Sequence, residues 1–277
     1  MQVSVVIPTF NRSRTILRAL RSVLAEKGVP FEVLVVDDGS TDETRKLVET
    51  VSKADRRVRY LFQPNRGPAA ARNRGIQEAR AEFIAFLDSD DEWLPGKLKV
   101  QLAFFGARPD HLICQTEEIW IREGKRVNPM AKHKKHSGFI FEKLLERSII
   151  SPSQVCMRRK FFEEVGLFDE TLPVCEDYDL WLRASARFPI GLIEKSYGIK
   201  YGGHADQQSR AYPVMDRFRI KALLKLLDSG LLSATQTKQA ARELERKCLI
   251  VSRGARKRGK IEEAHFYESL LERCPAP

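Results

Sequence analysis

Residues 82–91 read EFIAFLDSDD. An apolar run with strand character, 82–87, ends in three carboxylates: Asp88, Asp90 and Asp91. Like charges this close repel, and each carboxyl tends to keep a proton unless a cation sits among them. Hard divalent cations take oxygen ligands, and Mg²⁺ favours one or two carboxylates plus phosphate oxygens. The stretch therefore predicts a buried strand whose carboxyl end brings a metal and a diphosphate together.

Outward from it, the first half alternates strand and helix patterns. Residues 3–7 are a near-continuous β-branched run, as a parallel strand buried on both faces requires. Ile16, Leu17, Leu20, Val23 and Leu24 recur at helical spacing across 14–25. Residues 31–36 form the second strand. Ser40 with Glu43 three positions on fits a capping box, opening a helix that runs to Ala54. A third strand at 58–62, an Ala-rich helix at 68–79 and a Pro-initiated helix at 95–105 complete the pattern. This order predicts an α/β fold: an open, mostly parallel sheet with helices on both faces. The middle is less regular. It reads as one or two strands over 112–121, a basic loop KHKKH at 132–136, a short helix at 139–147, a strand at 154–158 and a helix at 178–188. From 213 the pattern is wholly helical (215–227, 234–251, 261–273), with a basic turn, RGARKRGK, at 253–260.

Composition sets bounds. At 277 residues and 43% hydrophobic, the chain is one large domain or one domain with an appendage. No run of about 18 apolar residues exists, so no membrane span is expected. The chain opens directly on VSVVIP, and no leader peptide is expected. Five scattered cysteines without a CxxC pair point to reduced thiols and a cytoplasmic setting. The net charge of +11 favours an anionic partner. Nucleic acid is not expected, because no nucleic-acid fold motif accompanies that charge.

In open α/β sheets ligands bind outside the carboxyl ends of the strands. Four polar clusters fall at such ends: PTFNR (8–12), DDGS (37–40), QPNRG (63–67) and DSDD (88–91). Any one alone reads as a turn with a helix cap; four in succession predict a shared site. No GxGxxG follows the first strand and no GxxxxGK[ST] occurs, which argues against a dinucleotide dehydrogenase and a P-loop enzyme.

VSVVIPTFNR, VVDDGSTDET, NRGPAAARNRG, FLDSDDEW and CEDYDLWLR, in this order and spacing, resemble the family 2 glycosyltransferases over residues 1 to roughly 210. The resemblance implies a GT-A fold, an inverting sugar transfer and a donor that is a nucleotide-diphosphate sugar, with UDP or dTDP as the carrier. It divides the chain into a GT-A domain at 1–212, with a nucleotide-sugar half (1–110) and an acceptor half (111–212), and a helical extension at 213–277. Pro8, Thr9, Asn11 and Arg12 would line the base and ribose, and Asn65 and Ser89 would join the donor site. Asp38 would accept a hydrogen bond from a base N–H. Arg72 would reach the diphosphate with a bidentate fork. Asp88 would hold the ribose or support the metal shell, and Asp90 would ligate Mn²⁺ or Mg²⁺. In an extended segment Asp88 and Asp90 face one way, leaving Asp91 as support. His204 would be a third ligand or a diphosphate contact, with Gly202 and Gly203 before it permitting a mobile loop. Asp177 would be the general base and Glu176 would help position it; their simpler reading is a helix-dipole pair. Asp179 reads as solvent-facing or structural, and Trp93 as a packing residue. His133 and His136, set among lysines, do not read as a metal site.

The acceptor implied is a saccharide or lipid-linked saccharide, in surface-polysaccharide biosynthesis. The basic C-terminal helices pack on the core in the simpler reading; in the other they make peripheral contact with the inner face of a membrane. The competing functional class is a catalytically weak nucleotide-sugar or glycan binding module in a larger assembly. Intact Asp88, Asp90, Glu176 and Asp177 argue against it.

Overall fold

The computed structural model describes residues 1–203 and 212–273. Strands β1 (Val3–Thr9), β2 (Phe31–Asp37), β3 (Val58–Phe62) and β4 (Phe83–Phe86) pair in parallel in the order β3-β2-β1-β4. Helices α1 (Ile16–Leu24), α2 (Thr44–Ala54) and α3 (Pro68–Glu78) connect them. Side chains alternate faces along each strand. Val3, Val5 and Ile7 accordingly pack on α1, α2 and α4 (Lys97–Ala107), whereas Val6, Leu34 and Val36 join the opposite core with α3.

Beyond β4 the sheet becomes mixed. β8 (Val155–Arg158) lies antiparallel to β4, β6 (Ile113–Arg122) antiparallel to β8, and β9 (Gly191–Gly202) parallel to β6. The two-residue β5 (Glu92–Trp93) pairs with β9, and β7 (Lys125–Val127) forms a hairpin with β6. Helices α5 (Phe141–Leu145), α6 (Lys160–Val165) and α7 (Glu176–Ser185) cover the α3 face. The fold is that of a GT-A-type α/β protein. The 112–121 segment is a single strand. β9 was not anticipated, although Ile193, Tyr197, Ile199 and Tyr201 alternate along it; Glu194, Lys195 and the glycines masked the pattern.

Helices α8 (Asp216–Asp228), α9 (Ala234–Lys257) and α10 (Ile261–Ser269) pack against this second face. Ile220, Leu223, Leu226, Leu244, Cys248 and Val251 belong to the same apolar cluster as Tyr178, Leu180 and Trp181 of α7. Lys247 is buried and donates to the Glu146 carbonyl (2.9 Å) and to Asp216 (3.0 Å), which fixes α9 to the end of α5. A buried ammonium requires such partners. The expected basic turn at 253–260 is helical as far as Lys257, so only its last residues turn.

The Ser40/Glu43 capping box does not form. Asp42 instead accepts from the Thr44 amide (2.9 Å), and Ser40 Oγ accepts from the Asn11 amide (2.9 Å). The loop after β1 thus competes successfully for the serine hydroxyl. A true capping box sits at Ser233 and Gln236, opening α9.

Gly75 fixes the approach of α3 to β1. A Cβ built there would lie 2.2 Å from Val6 Cγ1. Val6 is β-branched and held in the sheet, so it cannot swing away. Gly75→Ala is expected to lower unfolding free energy by roughly 1–3 kcal/mol, the usual overpacking cost, read as a lower urea midpoint at unchanged slope. An unaltered midpoint would mean that the helix shifts freely.

Candidate active site

The carboxyl ends of β1, β2 and β4 converge with the N-terminus of α7, as parallel topology requires. Pro8 and Thr9 are buried at the end of β1, and Thr9 Oγ1 has no hydrogen-bond partner. Asn11 adopts a positive φ of 51° and accepts from the Thr41 amide at 2.8 Å. The Arg12 amide donates to Thr44 Oγ1 at 2.8 Å. These contacts join the first two of the four polar clusters.

Asp38 is buried, and its carboxylate accepts from Gln63 Nε2 (2.7 Å), the Arg66 amide (2.9 Å) and the Gly67 amide (2.8 Å). It therefore folds the 63–67 loop onto the end of β2. Asn65 is exposed in that loop, and its amide nitrogen packs so closely on Gly39 that a Cβ there would approach to 2.9 Å.

The acidic segment is a turn, not an extended strand: the Asp91 amide donates to the Asp88 carbonyl at 3.0 Å. The alternation argument for Asp88 and Asp90 therefore does not apply. Sheet pairing ends at Phe86, and small polar residues fold the chain back. Asp91 turns inward and accepts from Ser153 Oγ (2.6 Å) and the Tyr201 amide (3.0 Å). Burial, then the neighbouring Asp90 and Asp88 charges, push its pKa well up. Ser153 Oγ also accepts from the Asp88 amide (3.1 Å), and the Ser153 carbonyl accepts from Trp93 Nε1 (2.8 Å). Trp93 is thus the packing residue it was read to be. Ser89 is buried and Asp90 half-buried at the corner of the turn; Arg18 donates to the Asp90 carbonyl.

Arg72 is the central side chain. Its guanidinium donates to Glu176 Oε1 (2.6 Å) and to Asp88 Oδ1 (2.7 Å), and it is only 6% exposed. The fork closes on two carboxylates rather than standing open toward a diphosphate, because buried Glu176 and half-buried Asp88 need a counter-charge. Burial alone would lower the Arg72 pKa, but Asp88 and Glu176 more than reverse that, and the guanidinium stays charged. Glu176 is pushed up to about 7 by burial and by Asp177 beside it, against the pull of Arg72.

Glu176 and Asp177 open α7, as predicted, after Cys175 in the left-handed region (φ 63°). Asp177 is half-buried, and its Oδ1 accepts from the Tyr178 amide at 2.7 Å. Asp179 is buried between Arg183 (2.7 Å) and Lys225 (3.1 Å), so its role is structural. Lys200 of β9 faces Glu118, Asp91, Asp88 and Asp177. Sequence reasoning missed both Lys200 and Ser153, which lie in segments without motif character. His204 lies outside the described residues.

The acidic turn offers hard oxygen donors, which suit Mg²⁺ or Mn²⁺. Among the described residues no group of three or more His, Cys, Asp or Glu side chains is poised for a metal. No helix among the described residues is long and apolar enough to cross a membrane.

A GT-A-type sheet with an acidic turn at its fourth strand defines a glycosyltransferase class, and the comparisons agree. The profile described as "Glycosyl transferase family 2" matches residues 4–166. An uncharacterised glycosyltransferase of Rickettsia felis is 37% identical over 199 residues, 70% of this chain and 32% of that protein. The chain thus spans about a third of the length of that relative. Succinoglycan biosynthesis protein ExoU of Rhizobium meliloti is 30% identical over 255 residues, 88% of this chain and 74% of ExoU. Among solved structures, Staphylococcus aureus TarS 1-349 in complex with UDP-GlcNAc superposes with a TM-score of 0.71 at 21% identity, covering 99% of this chain and 92% of that one. Mannosyltransferase PcManGT of Pyrobaculum calidifontis, in complex with GDP-Man and Mn²⁺, gives 0.65 at 16%, covering 97% and 79%. The chain belongs to glycosyltransferase family 2.

Removing the Arg72 charge leaves buried Glu176 and half-buried Asp88 without their cation. Arg72→Met is expected to cost about 3–5 kcal/mol at neutral pH, as for other broken buried pairs. The loss should shrink in acid. With its folded pKa above the ordinary 4.5, Glu176 keeps a proton that the unfolded chain has released, so its contribution to stability falls as pH rises from about 4.5 to about 7. Without Arg72 that fall steepens. Urea midpoints of both proteins at pH 5 and pH 8 read the difference; a pH-independent deficit would contradict it.

Proposed function

We propose that this protein is a metal-dependent, inverting glycosyltransferase. It moves a sugar from a nucleotide-diphosphate sugar to a hydroxyl of a saccharide or lipid-linked acceptor in surface-polysaccharide biosynthesis. The observation that carries the reading is the Arg72 bridge between Asp88 at the end of β4 and Glu176 beside Asp177. It ties the donor-side acidic turn to the start of α7, through Glu176, which is 104 residues from Arg72 in sequence.

The donor lies across the ends of β1, β2 and β4, with Pro8, Thr9, Asn11 and Arg12 toward the base and ribose. The unpartnered Thr9 hydroxyl supports this, since buried hydroxyls are normally satisfied. Asp38 and Asn65 shape the base-side loop. Asp90 and Asp88, and by resemblance His204, would hold Mn²⁺ or Mg²⁺. When bound, the cation supplies Lewis-acid charge opposite the leaving diphosphate. Asp177 takes the acceptor proton, which requires an approach of about 2.6–3.2 Å. Glu176, fixed by Arg72, holds Asp177 toward the acceptor. A single displacement at the anomeric carbon inverts it. UDP or dTDP is the carrier. Residues 1–212 act as the GT-A domain, and helix α8 of the 213–277 extension buttresses α7. The protein works in the cytoplasm; the exposed Ile250, with Arg246 and Arg253 at helical spacing on α9, suits contact with the inner membrane face.

Asp177→Asn should reduce transfer by at least about a hundredfold, the scale of general-base catalysis, while leaving donor binding intact. Donor binding is read by the shift in melting temperature with UDP, dTDP, GDP or CMP, each with Mn²⁺ and with EDTA. A metal-dependent shift with one nucleotide names the carrier. An active Asp177→Asn enzyme would overturn the base assignment, and no shift with any nucleotide would favour the binding-module reading.

A further inference from the structure

β6 and β9 carry a group of side chains that the donor site does not use. Glu118, Trp120 and Arg122 alternate onto one face of β6, and Lys200 pairs with Trp120 in register. The Trp120 indole is half-buried, whereas Trp93 and Trp181 are buried. The His133 ring lies 5.0 Å from it at 56°. The Arg122 guanidinium and the Lys200 ammonium stand 5.5 Å and 5.8 Å from the indole centroid.

The acidic member of the group is spent inward. Glu118 accepts from Trp120 Nε1 at 2.8 Å and pairs with buried Lys135 at 3.3 Å, while Lys135 also donates to the Thr116 carbonyl at 2.9 Å. These contacts lock the indole and neutralise Lys135. Arg122 and Lys200 make no ion pair with the described residues. Burial, then Arg147, Lys132, Lys200 and Arg122, hold the His133 imidazole below its ordinary pKa, so it is a neutral ring amid cations. Burial pulls the Lys200 pKa down, but Glu118, Asp91, Asp88 and Asp177 more than reverse that, and the next residue, Tyr201, donates its amide to Asp91 (3.0 Å), so this strand meets the acidic turn.

We propose that the Trp120 face is the acceptor subsite and that it takes a saccharide bearing an anionic group, a phosphate or a carboxylate. This rests on the glycosyltransferase reading. A half-buried indole offers apolar surface with a polar handle, suited to the C–H face of a sugar ring. The exposed Arg122 beside it supplies charge-assisted hydrogen bonds to an anion, which a neutral sugar would leave unmade, and Lys200 adds positive charge behind it. The sheet order separates this surface from the donor: β4 and β8 stand between β1 and β6.

The test uses the full chain saturated with Mn²⁺ and whichever of UDP, dTDP, GDP and CMP raises its melting temperature, so that phosphorylated probes cannot enter the donor site. Glucose 1-phosphate, glucuronate, methyl glucoside and inorganic phosphate are each titrated, read by tryptophan emission; Trp120→Phe should abolish the signal. A saturable response to glucose 1-phosphate or glucuronate is expected, and which of them responds tells phosphate from carboxylate. Methyl glucoside and inorganic phosphate should bind at least about tenfold more weakly, and Arg122→Gln should weaken the charged sugar by about tenfold, the equivalent of one charge-assisted hydrogen bond. Arg122 is exposed, and an unchanged melting temperature will establish that the variant folds. The proposal fails if methyl glucoside or inorganic phosphate binds as tightly, if Arg122→Gln binds as tightly as the parent, or if no probe responds. Stabilisation by UDP, dTDP, GDP or CMP with Mn²⁺ reads the donor site separately. Its absence with all four overturns the proposed function, whereas its presence without preference for a charged sugar overturns only the acceptor subsite.

Discussion

A buried glutamate, a half-buried aspartate and one guanidinium set the geometry on which the candidate site depends. Glu176 and Asp88 are brought together by chain segments that have no local relation, and Glu176 could not be buried as an anion alone. Arg72 resolves this by pairing with both at 2.6–2.7 Å. Its helix must therefore lie close to β1 and β4, which the Gly75–Val6 contact permits. The pairing also explains why Arg72 does not stand open toward a ligand: its charge is already committed.

Asp91 and Ser153 form a second anchor. The hydroxyl joins the Asp88 backbone to the Asp91 carboxyl, while Tyr201 on β9 donates to the same carboxyl. The acidic turn is thus held from β9 and from the short turn before β8, not from its own strand. Burial keeps Asp91 biased toward its protonated form, which limits the negative charge in the turn. Asp90, at the outer corner, stays half-exposed.

The parallel half of the sheet was legible because its strands are buried on both faces and read as β-branched runs, and because helices with clear apolar stripes alternate with them. Errors fell where local chemistry competes. Ser40 and Glu43 satisfy the capping-box pattern, yet Asn11, brought alongside by β1–β2 pairing, takes the hydroxyl. Asp88 and Asp90 obey an alternation that holds only in an extended chain, and the chain turns there. β9 carries alternating apolar residues, but charges and glycines among them diluted the signal.

The sequence by itself determined the class: the α/β order, the four polar clusters at strand ends, and a motif set dense enough to identify the family. These are local or periodic properties, written in consecutive residues. Only the tertiary structure decided what each carboxylate faces. Arg72 meeting Glu176, Ser153 meeting Asp91, and Lys200 and His133 flanking Trp120 are long-range pairings, set by sheet order and by the need to neutralise buried charge. No spacing in the chain encodes them, because the energy that selects them exists only once the segments have packed together.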